Sequence, residues 1–270
     1  MSKDRSNIEE ELVSMFEKAD YKVSEYIRKM LSKMKTGRNR PTLKYLRSYR
    51  TQIRAILKQL SSDSSDWSSK AINEYYYGGV DMADAQLKAA GVAVVGDFAT
   101  IHAKSYGVLV ESTTARFSDV INVIGRRVDD VFRTVQLDSV SSSVMGFESV
   151  KKVAKTMQEQ LAEKEITVFK DSMGRSWRMG PYSEMSARSV TTEARVRGMT
   201  NEFVEYGYDL IEISSHPLSC SKCVPFEGRI LSISGATKGY ASLAEAKAAG
   251  LFHPNCRHSF SLYIPGISDK

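Results

Sequence analysis

A chain of 270 residues, 42% hydrophobic and 26% charged, can bury a real core as one large domain or two modest ones. Its apolar runs, such as Gly91-Val-Ala-Val-Val95, are far too short to cross a bilayer, and its first residues lack an apolar stretch of signal-peptide type, so no membrane partner is expected. Three cysteines, an odd number, disfavour a disulfide framework, and the net charge of +6 is concentrated between Arg28 and Lys58, where eleven Lys/Arg residues meet no acid.

Residues 8–34 carry apolar side chains at Leu12, Phe16, Ala19, Val23, Ile27, Met30 and Met34, the stripe of an amphipathic helix. Gly37 and Pro41 suit its end and the start of a second helix to Leu60. That second helix is apolar at Leu43, Leu46, Ile53, Ile56, Leu57 and Leu60, and basic at Arg40, Lys44, Arg47, Arg50, Arg54 and Lys58. A basic face of this kind suits phosphates of DNA or an acidic protein surface. Aromatics are sparse there, so base readout is not expected.

Ser61-Ser-Asp-Ser-Ser-Asp66 reads as a linker ending in an N-cap. Beyond it Ile72, Tyr76, Gly79, Ala83, Leu87 and Ala90 repeat at helical spacing. Gly78-Gly79 costs that helix about 1 kcal/mol per glycine, which close approach of another helix would justify. His102 stands alone on a helix and reads as structural. Phe117, Ile121, Ile124, Val128, Phe132 and Val135 form the cleanest stripe; Ser139 to Ser143 reads as a break before a shorter helix to Glu165.

After Glu165 the pattern changes. Residues 166–179 read as a β-hairpin turning at Asp171 to Gly174, and Pro181 opens a helix that Gly207 ends. Residues 210–213, 229–233 and 259–263 read as strands, with a short helix over 242–249. The expected fold class is α+β: a helical N-terminal half, then a small zinc-stapled α+β domain. The expected domains are 1–60, a basic helical hairpin; 61–165, helical; and 166–270, α+β.

All three cysteines and three of the four histidines lie in the last domain, in His216-Pro-Leu-Ser-Cys220-Ser-Lys-Cys223 and His253-Pro-Asn-Cys256-Arg-His258. Two soft-ligand clusters about thirty residues apart suit a tetrahedral Zn²⁺ site. The expected ligands are Cys220, Cys223, His253 and Cys256, with His216 and His258 as alternates. A filled first shell leaves no place for substrate, so the site reads as structural and no catalytic residue is assigned. No nucleophile with a placed base and no glycine-rich phosphate loop is visible. The alternative is a metal-dependent nuclease using His253, Asn255 and His258, against which acidic ligands are missing nearby.

Residues 166–266 resemble the C-terminal half of the phage minor capsid proteins, among the Mu F-like head morphogenesis proteins of tailed bacteriophages. The likeness is carried by Phe169-Lys-Asp-Ser-Met-Gly-Arg-Ser-Trp177, Tyr182-Ser-Glu-Met-Ser-Ala-Arg188 and Glu205-Tyr-Gly-Tyr-Asp-Leu-Ile-Glu-Ile-Ser-Ser-His216. It continues through Cys220-Ser-Lys-Cys223, Phe226-Glu-Gly228 and Gly250-Leu-Phe-His-Pro-Asn-Cys-Arg-His258. The N-terminal half matches only in its helical, spacer-like character. Many relatives place Cys two positions beyond Cys256, where this chain has His258. The resemblance implies a structural virion component, made in the host cytoplasm and built into the phage head. Its implied partners are the portal and the major capsid or scaffolding protein.

Overall fold

The structure, a computed structural model, describes residues 3–35, 43–96, 99–145, 168–171, 174–217, 219–253 and 256–269. Arg40, the side chain of Lys44 and the expected helix up to Glu165 fall outside what is described. The elements run α1 (Lys3–Lys35), α2 (Leu43–Ala89), α3 (Ala99–Met145), β1 (Phe169–Lys170), β2 (Ser176–Trp177), α4 (Met179–Glu205) and β3 (Leu210–Ile213). A 3₁₀ turn (Val224–Phe226), β4 (Ile230–Ser232), β5 (Ala241–Ser242), α5 (Leu243–Ala248) and β6 (Phe260–Leu262) follow. The fold is α+β, mostly helical with a small sheet toward the C-terminus.

Two expectations are corrected. The Ser61–Asp66 stretch is not a linker: α2 runs through it unbroken. Ser64 is buried in line with Leu57, Leu60 and Trp67, its Oγ donates to the Ser61 carbonyl at 3.1 Å, and Gln59 Nε2 donates to Asp63 Oδ1 one turn on. Small serines continue the apolar stripe by satisfying themselves on the helix backbone. Nor does the chain break at Ser139–Ser143, since α3 continues to Met145.

The chain divides into two compact units. The first comprises residues 1–67 and 114–184. Its core joins Leu12, Phe16, Val23 and Met30 of α1, Ile53, Leu57 and Trp67 of α2, and Phe117, Ile124 and Phe132 of α3. Phe117 meets Phe16 at 5.7 Å and Trp67 at 6.0 Å between ring centroids, while Trp67 Nε1 donates to the Ile8 carbonyl at 2.7 Å. The hairpin pairs Phe169 with Trp177 and Lys170 with Ser176, and Asp171 secures its turn by accepting from Arg175 N at 2.9 Å and Trp177 Nε1 at 3.0 Å.

The second unit comprises residues 68–113 and 185–270. Here α2 and α4 cross with backbones in contact. A Cβ at Gly79 would sit 2.4 Å from the Arg195 carbonyl oxygen, and one at Gly198 only 2.1 Å from that of Tyr76. Gly78, with nothing within 4 Å, plays no part in this crossing. Gly207 (φ 80°) ends α4, with Tyr208 N donating back to the Phe203 carbonyl at 2.9 Å. The chain then enters a four-stranded sheet of order β5-β4-β3-β6, in which β3 is antiparallel to β4 and β6, and β5 parallel to β4. Leu87, Met199, Phe203, Ile211, Leu231, Leu243 and Phe260 bury one core, and Cys223 is part of it.

Candidate metal centre

Two loops bring the soft ligands together. The first leaves β3 and turns at Cys220, whose carbonyl accepts from Cys223 N at 3.0 Å and Val224 N at 3.1 Å. Pro225 fixes φ within the 3₁₀ turn that follows. Gly228 (φ 66°) closes this loop by donating to the Ile213 carbonyl at 2.9 Å. The second loop starts where α5 ends. Ser242 and Glu245 form a capping box at its start, and Gly250 (φ 113°) with Leu251 N bonded to the Ala246 carbonyl closes its end. Phe252 then takes φ 59°, the one non-glycine positive φ among the described residues, and packs on Phe260 at 5.9 Å. Cys256 N donates to the His253 carbonyl at 2.7 Å, and β6 carries the chain away.

The donors fall into two overlapping trios: Cys220, Cys223 and His253, and Cys223, Cys256 and His258. Within each, the ligand atoms lie within 4.8 Å of one another. Cys223 Sγ is 3.5 Å from Cys256 Sγ, Cys256 Sγ is 3.4 Å from His258 Nδ1, and Cys220 Sγ is 3.1 Å from His253 Nε2. The donors edge a recess of about 260 Å³ that Arg257 also lines. Of the four expected ligands, Cys256 thus falls in the trio of His258 rather than that of His253. His216 belongs to neither; its ring stands 6.1 Å from that of His258 and its backbone N–H donates to Glu227 Oε1 at 2.9 Å.

Electrostatics favour a cation here. Burial, then the neighbouring Cys256 and Cys220 thiols, push Cys223 up to about 12. Cys223 lies close to both other sulfurs, which as thiolates would repel it, and a divalent ion relieves that repulsion. Cys220 is shifted the other way, by the backbone N–H groups of Cys223 and Lys222. Burial and the positive Lys222 lower His253, which favours the neutral imidazole that a metal needs. The donor set, three thiols and two imidazoles with no carboxylate among them, suits zinc better than a hard oxygen-seeking ion.

Sequence reasoning missed Glu227. It accepts from Ser219 Oγ, from His258 Nε2 at 2.8 Å and from the His216 backbone N–H, contacts that in this order hold its carboxyl at about 2. Its only sequence signal was its place in the Phe226-Glu-Gly228 turn between the two clusters.

The basic face of α2 proves partly neutralised. Arg50 Nε meets Asp129 Oδ1 at 2.7 Å and Arg54 Nη2 meets Asp129 Oδ2 at 2.5 Å, while Arg47 and Lys58 stay exposed. Beside them lies an open recess of about 420 Å³, with Arg54, Lys58 and Arg126 around Leu57, Ile121 and Gly125. No described helix is long and apolar enough to cross a membrane.

No curated protein and no solved structure matches this chain. The family described as phage minor capsid protein 2 matches residues 3–270, both compact units included. The chain therefore belongs to the phage minor capsid protein 2 family and is a structural protein of a phage head.

Proposed function

We propose that this head protein is a non-catalytic assembly part whose C-terminal lobe is held by one structural Zn²⁺. The ion is bound by Cys220, Cys223, Cys256 and a histidine, His253 or His258. The observation that supports this is the convergence of all three cysteine sulfurs and two imidazoles from loops about thirty residues apart. Structural zinc contributes on the order of 10 kcal/mol to folding, comparable with the entire stability of many domains. The purified chain should contain one zinc, and chelation should release it while raising the titratable thiol count to three. Cys220→Ser should lose the metal and melt at a lower temperature; a metal-free Cys220→Ser chain with unchanged melting overturns the reading.

Family membership supports a place in the head near the portal, reached after synthesis in the host cytoplasm. The partners are the portal and the major capsid or scaffolding protein. Arg47 and Lys58, exposed on α2, offer a salt-sensitive contact to DNA phosphates or an acidic partner surface. Co-purification with portal from assembled heads, with and without residues 1–60, tests these assignments. Among the described residues the nuclease alternative finds no free acid at the cluster, because Glu227 is taken up by Ser219, His258 and the His216 N–H. Plasmid nicking in Mg²⁺ or Mn²⁺, against a His258→Ala control, is expected to be absent.

A further inference from the structure

We infer that His258, through Nδ1, is the histidine that completes the metal site, and that Glu227 is the positioning residue that presents it. The inference rests on the zinc reading above and decides between the two imidazoles it leaves open.

The hydrogen bond of His258 fixes its tautomer. Glu227 Oε1 lies 2.8 Å from His258 Nε2. An ionised carboxylate only accepts, so the proton sits on Nε2 and the lone pair on Nδ1. Nδ1 is the atom that faces Cys256 Sγ at 3.4 Å, inside the second trio. A ligating histidine whose other ring nitrogen donates to a carboxylate is the usual way a protein sets ring orientation and ligand basicity.

The distances within the second trio agree. Zinc–sulfur bonds near 2.3 Å and zinc–nitrogen bonds near 2.0–2.1 Å require tetrahedral edges of about 3.6 Å for S–N and about 3.8 Å for S–S. His258 Nδ1 to Cys256 at 3.4 Å and Cys223 to Cys256 at 3.5 Å approach these edges. His253 Nε2 to Cys220 at 3.1 Å falls further short of such an edge.

The carboxylate is itself anchored. Ser219 Oγ donates to Glu227, and so does the His216 backbone N–H at 2.9 Å, so the segment before Cys220 holds the group that aims His258. His258 is buried, with its own backbone N–H on Cys256 Sγ at 3.4 Å, whereas Cys220, the neighbour of His253, is exposed.

Cobalt(II) titration of the full chain, followed by absorption, tests the assignment. Wild type should give the visible bands of tetrahedral cobalt with three thiolates. His253→Ala should keep those bands with affinity within a few-fold. His258→Ala should lose the tetrahedral bands. Glu227→Ala should weaken binding by about 10–100-fold, the usual effect of removing such a partner, while Glu227→Gln, whose carbonyl still accepts from Nε2–H, should recover most of it. His258→Cys guards against misfolding of the alanine variant: it should raise the sulfur-to-cobalt intensity to that of four thiolates, and His253→Cys should not. Tetrahedral bands that survive His258→Ala but vanish in His253→Ala overturn the assignment and leave the zinc reading intact. A wild-type chain that takes up neither cobalt nor zinc overturns both.

Discussion

His102 Nε2 lies 2.8 Å from Glu202 Oε2, with both side chains buried, a hundred positions apart in sequence. On the other side of the ring His102 Nδ1 is 2.9 Å from the Tyr76 hydroxyl, which also accepts from Asn201 Nδ2 at 2.8 Å. Burial, then the Asp84 carboxyl hydrogen-bonded to it, push Glu202 up to about 7, with a smaller push from Glu205. The buried Asp84 Oδ1 has no hydrogen-bond partner among the described residues, so a charge on Asp84 is itself poorly solvated. A folded pKa above the unfolded value of 4.5 means that the native state holds its proton longer than the unfolded chain. The stabilisation is therefore complete below about pH 4.5 and lost as pH rises through about 7. Urea unfolding should show the second unit weakening over that window by up to about 3 kcal/mol. Glu202→Gln, neutral at every pH, should flatten the slope.

The backbone crossing of α2 on α4 predicts opposite outcomes at two glycines, one inside the crossing and one outside it. Gly198→Ala, whose methyl would meet the Tyr76 carbonyl oxygen, must push the helices apart and should cost about 1–3 kcal/mol or more. Gly78→Ala meets nothing within 4 Å and should stabilise by up to about 1 kcal/mol through helix propensity. Denaturant midpoints of the two variants, compared with wild type, check the contrast.

Trp67→Phe should destabilise the first unit by about 1–3 kcal/mol. The ring volume shrinks, and the buried Ile8 carbonyl loses the indole N–H now 2.7 Å away. Thermal melting with near-UV circular dichroism reads both the loss and its place.

Asp129 restrains the basic face. Burial pushes its carboxyl up, but Arg50 and Arg54 outweigh that and hold it below the usual carboxylate range. Asp129→Asn should free both guanidinium groups for anions. On a heparin column it should elute at higher salt than wild type, and Lys58→Ala at lower salt. Stability should change by no more than about 1 kcal/mol, because the pairs are partly exposed.

The sequence carries the regular parts of this fold well. The stripes of α1 and α3, the Asp171 hairpin, the end of α4 at Gly207 and the strands around Leu210, Ile230 and Phe260 follow from periodicity and turn chemistry, which act over a few residues. Cys220, Cys223 and Cys256 are legible because no other cysteine competes with them. The Ser61–Asp66 stretch misleads because polarity marks a linker only when tertiary packing does not override it, and here Trp67 and Ser64 face a core. Asp129 on Arg50, Glu202 on His102 and Glu227 on His258 pair across long separations, where one sequence holds no periodic signal. Gly79 lies between these extremes: its cost to the helix announces a close neighbour, yet nothing local names Gly198 as that neighbour.

Cys223 belongs at once to the thiol cluster and to the apolar interior with Leu87, Phe203 and Leu231. A competing chelator can approach the exposed Cys220, but it cannot pull the second sulfur out without parting the sheet from α4. Exchange of a bound ion is thus gated by opening of that interior, so its half-life should follow the unfolding rate of the lobe rather than the strength of the chelator. An ion held there would stay locked in for as long as the lobe stays shut.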